Sequence, residues 1–154
     1  MGNILKVRSG SPYEASIGFS RAVQVGERIL VSGTAPVEAD GSSTAGDAEA
    51  QARRCFKIIL AAVAELGGTA ADVVRTRMFL VDAADADAVG RAHGAVFGEV
   101  RPAATMVVVA GLLRPEWRVE IEAEAVVSPS PLVGSMGGSG VRTAPGSPQI
   151  MPGA

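Results

Sequence analysis

Near the end of its regular part the chain alternates: Val119, Ile121, Ala123 and Ala125 are apolar, and Glu120, Glu122 and Glu124 stand between them. Side chains of a strand point alternately to its two faces, so 118–127 predicts a strand with one apolar and one acidic face. Two shorter segments, about 21–25 and 28–33, predict strands joined tightly at Gly26-Glu27. From 47 to 66 the period lengthens, with apolar side chains at 52, 55, 56, 59, 60, 63 and 66 and a Gly67-Gly68 stop. That pattern predicts a helix with a C-terminal cap. Residues 73–81 predict a strand. A second helix over about 85–97 places Val89, His93, Val96 and Phe97 on one side. After Pro102, "AATMVVVAG" predicts a further strand. The order β-β-α-β-α-β-β is that of an α+β sandwich, two helices packed on one face of a mixed sheet.

The segment "TMVVVA" is apolar at both parities, as in a strand covered on both sides. Two helices cover only one face, so the other is expected to meet copies of the same chain in a homo-oligomer. Regular patterning stops at 127. Residues 128–154 carry five of the nine prolines, many Gly and Ser, and one charge, Arg142. Such a segment buries too little apolar surface to offset its ordering entropy. The expected organisation is one folded domain, 1–127, and a Pro/Gly/Ser-rich flexible tail, 128–154.

Composition narrows the chemistry. Nearly half of the residues are apolar, enough for a core, and the net charge is −2. Twelve of the fourteen cations are Arg, scattered along the chain. Nucleic-acid binding needs a clustered basic surface, so it is not expected. No apolar run reaches the roughly 18 residues of a membrane span, and the N-terminus lacks the apolar core of a signal peptide. One cysteine, Cys55, and one histidine, His93, exclude an internal disulfide framework and argue against a Cys- or His-based metal site. A cytoplasmic, metal-free protein is the expectation.

Several segments carry a resemblance. "VRPAATMVVVAGL" followed by "VEIEAEAVV" is similar to the signature of the RidA/YjgF family of enamine/imine deaminases, roughly Pro-Ala-Arg-Ser-x-Val and then Val-Glu-Ile-Glu-Ala. "GFSRAVQVGERILVSG" resembles that family's Tyr-containing hairpin, and "DVVRTRMFLVD" also matches. The resemblance spans about 15–127, in the family's order. It implies a chorismate-mutase-like fold and a homotrimer with a cleft between each pair of subunits. It also implies cofactor-free hydrolysis of reactive enamines or imines to ketones and ammonia. In the family an arginine anchors the substrate carboxylate, a geometry that guanidinium suits. A glutamate on the last strand handles protons or positions the attacking water. That glutamate corresponds to Glu120.

The departures run one way. The arginine position is Ala104, and the next two positions are Thr105 and Met106. The hairpin tyrosine is Phe19; an asparagine common early in the second helix is Gly90, and a nearby aromatic is His93. One extra residue in "GLLRPEWR" brings Trp117 near the expected cleft mouth. Loss of the ionic anchor should cost a carboxylate substrate about 1.5–3 kcal/mol. An ordinary amino-acid-derived imine is therefore not the expected substrate.

The resemblance casts Glu120 as the catalytic group, with Thr105 and the backbone near Gly33 and Thr34 as hydrogen-bond donors and Phe19 and Trp117 as apolar walls. Gly90 and Ala104 complete the candidate substrate site. By alternation alone, Glu120 is a solvated carboxylate on an outer face. Arg75 and Arg77 share a face of one strand. They are expected to pair with the glutamates or, failing that, to replace the anchor. Arg21 and Arg101 read as surface arginines, His93 as a hydrogen-bonded core or interface histidine, and Cys55 as a packed thiol. The expected protein is a RidA-like hydrolase acting on a small imine- or enamine-type metabolite. The alternative is a non-catalytic trimeric module that binds a small molecule or a protein. Nucleic-acid cleavage, also attached to this family, fits the acidic balance poorly.

Overall fold

Asp47 begins the first helix: its Oδ1 accepts from the Ala50 N–H at 2.9 Å, satisfying one of the donors that a helix start leaves free. The helix, α1 (Ala48–Glu65), ends where Gly67 takes φ 83° and the Gly68 N–H reaches back to the Val63 carbonyl at 2.9 Å. Glycine is suited to that left-handed turn, so Gly67-Gly68 forms the expected cap. The second helix, α2 (Ala86–Phe97), follows a short 3-10 turn opened by Asp82. The computed structural model describes residues 3–128. The expected tail, apart from Ser128, lies outside them.

Six strands form one sheet: β1 (Ile4–Val7), β2 (Ala22–Val25), β3 (Arg28–Thr34), β4 (Val73–Leu80), β5 (Ala103–Val108) and β6 (Val119–Val126). Their order is β1-β2-β3-β6-β4-β5; only β4 and β5 run parallel, joined through α2. Five of the strands match the sequence expectation. The sixth, β1, was not expected. "ILKV" shows no period of its own and buries only Val7; it is a strand because it pairs with β2, Val7 opposite Ala22.

Both helices lie on one face of the sheet. Val119, Ile121, Ala123 and Ala125 of β6 join Ile29, Val31, Met78 and Leu80 in a core closed by Cys55, Phe56, Ile59 and Val63 of α1 and Val89, Ala92 and Phe97 of α2. The other face carries the alternate residues: Leu30 and Ser32 of β3, Arg75, Arg77 and Phe79 of β4, and the three glutamates of β6. Strand β5 is barely covered at all. Ala103, Ala104, Thr105, Val107 and Val108 are exposed, and Met106 alone leans into the core.

Candidate functional site

The three glutamates of β6 occupy three different environments. Glu124 meets Arg28 at 3.0 Å, Arg77 at 3.4 Å and Arg75 at 3.9 Å; Glu122 meets Arg77 at 2.8 Å. The arginine pair of β4 is thus taken up by the acidic face, not held free as a substitute anchor. Glu120 has no such partner among the described residues. It stands opposite Phe79 in register, and its carboxylate lies against Gly33, where a Cβ would overlap Oε1. Burial raises its proton affinity above the ordinary carboxylate range. Arg21 pulls it back in part, and Glu122 adds to the rise. A half-desolvated, unpaired carboxylate in a niche is the form of a general base.

A β-bulge makes that niche. Val31 faces Ala123 and Thr34 faces Ile121, so three steps on β3 oppose two on β6. The bulged residues are Ser32 and Gly33. Arg21 braces them: its Nη1 donates to the Gly33 carbonyl at 3.0 Å, to Thr34 Oγ1 at 2.7 Å and to the Ser32 carbonyl at 3.4 Å. Thr34 in turn donates to the Ser32 carbonyl at 2.8 Å. Its buried hydroxyl is fully engaged and has no donor left for a substrate. Arg21 is half-buried, not a surface arginine. The available signal was its place directly after Phe19-Ser20 and before Ala22, which is fully buried.

Phe19 is half-buried and lines a cavity of about 730 Å³ together with Lys6, Arg8, Glu14 and Ser20. Glu14 opens a single π-helical turn, Glu14–Gly18, closed by the Phe19 N–H on the Glu14 carbonyl at 3.2 Å. Ser20, the residue after Phe19, accepts from Ser32 Oγ at 2.7 Å through its carbonyl, so this segment borders the bulge that holds Gly33 against Glu120.

Ala104, Gly90 and His93 form a second group. Ala104 pairs with Thr76, whose side chain points to the helices, and Thr76 Oγ1 lies 2.9 Å from His93 Nε2. His93 packs edge-on to Phe56, centroids 5.7 Å apart, and burial lowers its proton affinity, so it is a neutral, hydrogen-bonded core histidine. Gly90 lies one helical turn before it, with open space where a Cβ would stand. By strand parity Ala104 lies on the helix side of the sheet, whereas Glu120 points away from it. Thr105 shares the Glu120 face but sits on β5, next to Arg77. A single chain does not bring the two groups together.

Trp117 is 8% exposed, its Nε1 donates to Ser43 Oγ at 2.9 Å, and Ser43 Oγ donates to Glu116 Oε1 at 2.7 Å. Gln51 of α1 holds the same corner, donating to the Glu116 carbonyl at 3.0 Å and accepting from the Arg118 N–H at 2.8 Å. Arg114 stacks 5.2 Å from the Trp117 ring. The indole clamps a loop to α1, the anchoring role of the two that a loop aromatic could take. Cys55 is fully buried, its thiol pushed up to about 12 by burial, so it is inert as a nucleophile. Among the described residues no group of three His, Cys, Asp or Glu could hold a metal ion, and no helix is long and apolar enough to cross a membrane.

Residues 10–127 match the family described as Endoribonuclease L-PSP. An uncharacterized protein of Streptomyces coelicolor is 42% identical over 122 residues, 79% of this chain and 91% of that protein. A 2-iminobutanoate/2-iminopropanoate deaminase of Salmonella typhimurium is 34% identical over 116 residues, 73% of this chain and 90% of the enzyme. The crystal structure of a YjgF-family protein of Mycobacterium tuberculosis superposes with a TM-score of 0.75 at 39% identity, covering 81% of this chain and all of the other.

Proposed function

We propose a function on the premise that this chain belongs to the endoribonuclease L-PSP family, the YjgF/RidA proteins: it hydrolyses a reactive imine or enamine of a small metabolite. The reaction takes place in a cleft between subunits of a homotrimer, without a cofactor. One observation carries the reading. Of three glutamates in one row, Glu120 alone has no ion pair among the described residues and is held partly desolvated against Gly33. Glu120 takes a proton from water as the water oxygen bonds to the C=N carbon, and the π pair moves to nitrogen. Glu120 returns that proton to the nitrogen, giving a carbinolamine; the hydroxyl proton then passes through Glu120 to the nitrogen as the C–N bond breaks, leaving the carbonyl and ammonia with Glu120 ionised again.

The inter-subunit cleft is supported by the separation of the two residue groups. Glu120 and Gly33 of one subunit, on the face that the helices leave uncovered, would meet the exposed β5 edge of another, which carries Ala104 and Thr105 with Gly90 of α2 on its helix side. The deaminase relatives support the chemistry. The test is ammonia and keto-product release from freshly generated imines. Wild type accelerates it, and Glu120→Gln loses about 100- to 10,000-fold, the usual worth of a general base. Equal rates in the two proteins remove the mechanism.

Ala104 favours a second reading, a trimeric module that binds a small molecule without turning it over. Tight ligand binding with no turnover in wild type, and turnover gained in Ala104→Arg, would select it.

A further inference from the structure

We propose that Arg21, flanked by Lys6 and Arg8, is the anion anchor of this protein, binding the carboxylate of a small organic acid in the role that Ala104 leaves empty. The inference rests on the imine-hydrolysis reading for the purpose of the site, but not for its existence.

Most of the cations among the described residues are already committed. Seven arginines form ion pairs: Arg28, Arg75 and Arg77 with the glutamates of β6, Arg53 and Arg91 with Glu49, Arg54 with Glu38, and Arg118 with Asp85. Among the described residues that leaves Lys6, Arg8, Arg21, Lys57, Arg101 and Arg114. Three of these six lie together. Val7 pairs with Ala22, and the Arg21 N–H donates to the Val7 carbonyl at 2.9 Å, so the strands set Arg8 beside Arg21. Lys6 and Arg8 flank buried Val7 and line the cavity of about 730 Å³ that Phe19 and Ser20 also border.

Arg21 is built for a second partner. All of its hydrogen bonds leave from Nη1, which grips the bulge. Nε is buried without an acceptor, and Nη2 donates to nothing among the described residues. Those two nitrogens form the side-on edge of guanidinium, the edge that takes a carboxylate through two parallel N–H···O bonds. Arg118 shows this use on Asp85, through Nε at 2.9 Å and Nη2 at 2.8 Å. A buried N–H with no acceptor is uncommon in a folded protein, and an anion would satisfy it. Glu14 is the acidic side chain of the cavity. Its carboxylate is already held by Ser9, and it feels Arg8 and Arg21 without pairing with either. Arg21 is also the cation whose charge reaches Glu120. The anchor and the proposed base thus share one bulge.

The probe is 2-oxobutanoate against butanone, which lacks the carboxylate. Binding to the full chain is measured by calorimetry for wild type, Arg21→Gln, Arg21→Lys and Arg8→Gln. Arg21→Gln should weaken 2-oxobutanoate at least tenfold and leave butanone unchanged. Arg21→Lys should recover part of the loss, because lysine keeps the charge but not the paired donors. Arg8→Gln, on an edge strand outside the core, should weaken the acid severalfold and guards against an Arg21→Gln that does not fold. Wild-type affinity for the acid in both glutamine variants overturns the proposal, as does equal loss of acid and ketone in Arg8→Gln. The two readings fail separately. Arg21-dependent binding with no imine hydrolysis keeps the anchor and removes the hydrolase. Hydrolysis of anionic imines that ignores Arg21 and Arg8 removes the anchor and keeps the hydrolase.

Discussion

The two faces of the sheet are made by the same strands and obey different rules. On the helix-covered face, alternate residues of β6 and β4 are apolar and shut away, and packing alone accounts for them. On the open face, the neighbouring residues are Arg75, Arg77, Phe79 and three glutamates, and charge accounts for most of them. The charges there are matched in pairs across neighbouring strands. The informative residues are those that stay unsatisfied, Glu120 and the side-on edge of Arg21.

Substitutions can break that contrast at graded cost. On the covered face, Ile121→Ala should cost about 2–5 kcal/mol by denaturant titration, because the side chain is fully buried and its removal leaves a cavity that the core fills only in part. A loss under about 1 kcal/mol would mean that the core is looser than described. On the open face, if the proposed trimer forms there, Val107→Asp should leave the circular dichroism spectrum native while lowering the sedimenting mass to that of one chain; an unchanged sedimenting mass would place any subunit contact elsewhere. Glu122→Gln removes an ion pair between side chains that are both about one-third exposed. It should cost about 0–1 kcal/mol, and less as salt is added.

Glu120→Gln should have the opposite sign. The folded chain raises the proton affinity of Glu120, so it holds more of that proton than the unfolded chain at pH values just above the ordinary carboxylate range. Stability from this group is therefore lost as pH rises through that window, and the ionised glutamate is a burden at neutral pH. Glu120→Gln should melt slightly above wild type at neutral pH, with no difference at about pH 3, below the ordinary carboxylate value. A lower melting temperature at neutral pH would show that the charge is paired after all.

Most of the fold was legible because burial writes itself as period. The alternation in β6, the stripe of α1 and the Gly67-Gly68 stop each report a local cause. Strand β1 was not legible, since its reason is the exposed edge of β2 and not its own pattern. Alternation also shows that Glu120 and Val119 face opposite ways, but not which strand lies next door. The bulge at Ser32-Gly33, the bracing by Arg21 and the placing of Ala104 on the far side of the sheet from Glu120 all depend on register. Trp117 was undecided for a related reason: a loop aromatic next to a motif can turn either way, and Ser43 and Gln51 hold its loop against α1.

The measurement closest to the central claim is ammonia release from a panel of amino-acid and uncharged imines, comparing wild type, Glu120→Gln and Glu122→Gln. Wild type and Glu122→Gln should accelerate hydrolysis alike, while Glu120→Gln should fall by about 100-fold or more. Equal loss in both variants, or none in either, would contradict the distinction between an unsatisfied glutamate and its paired neighbour.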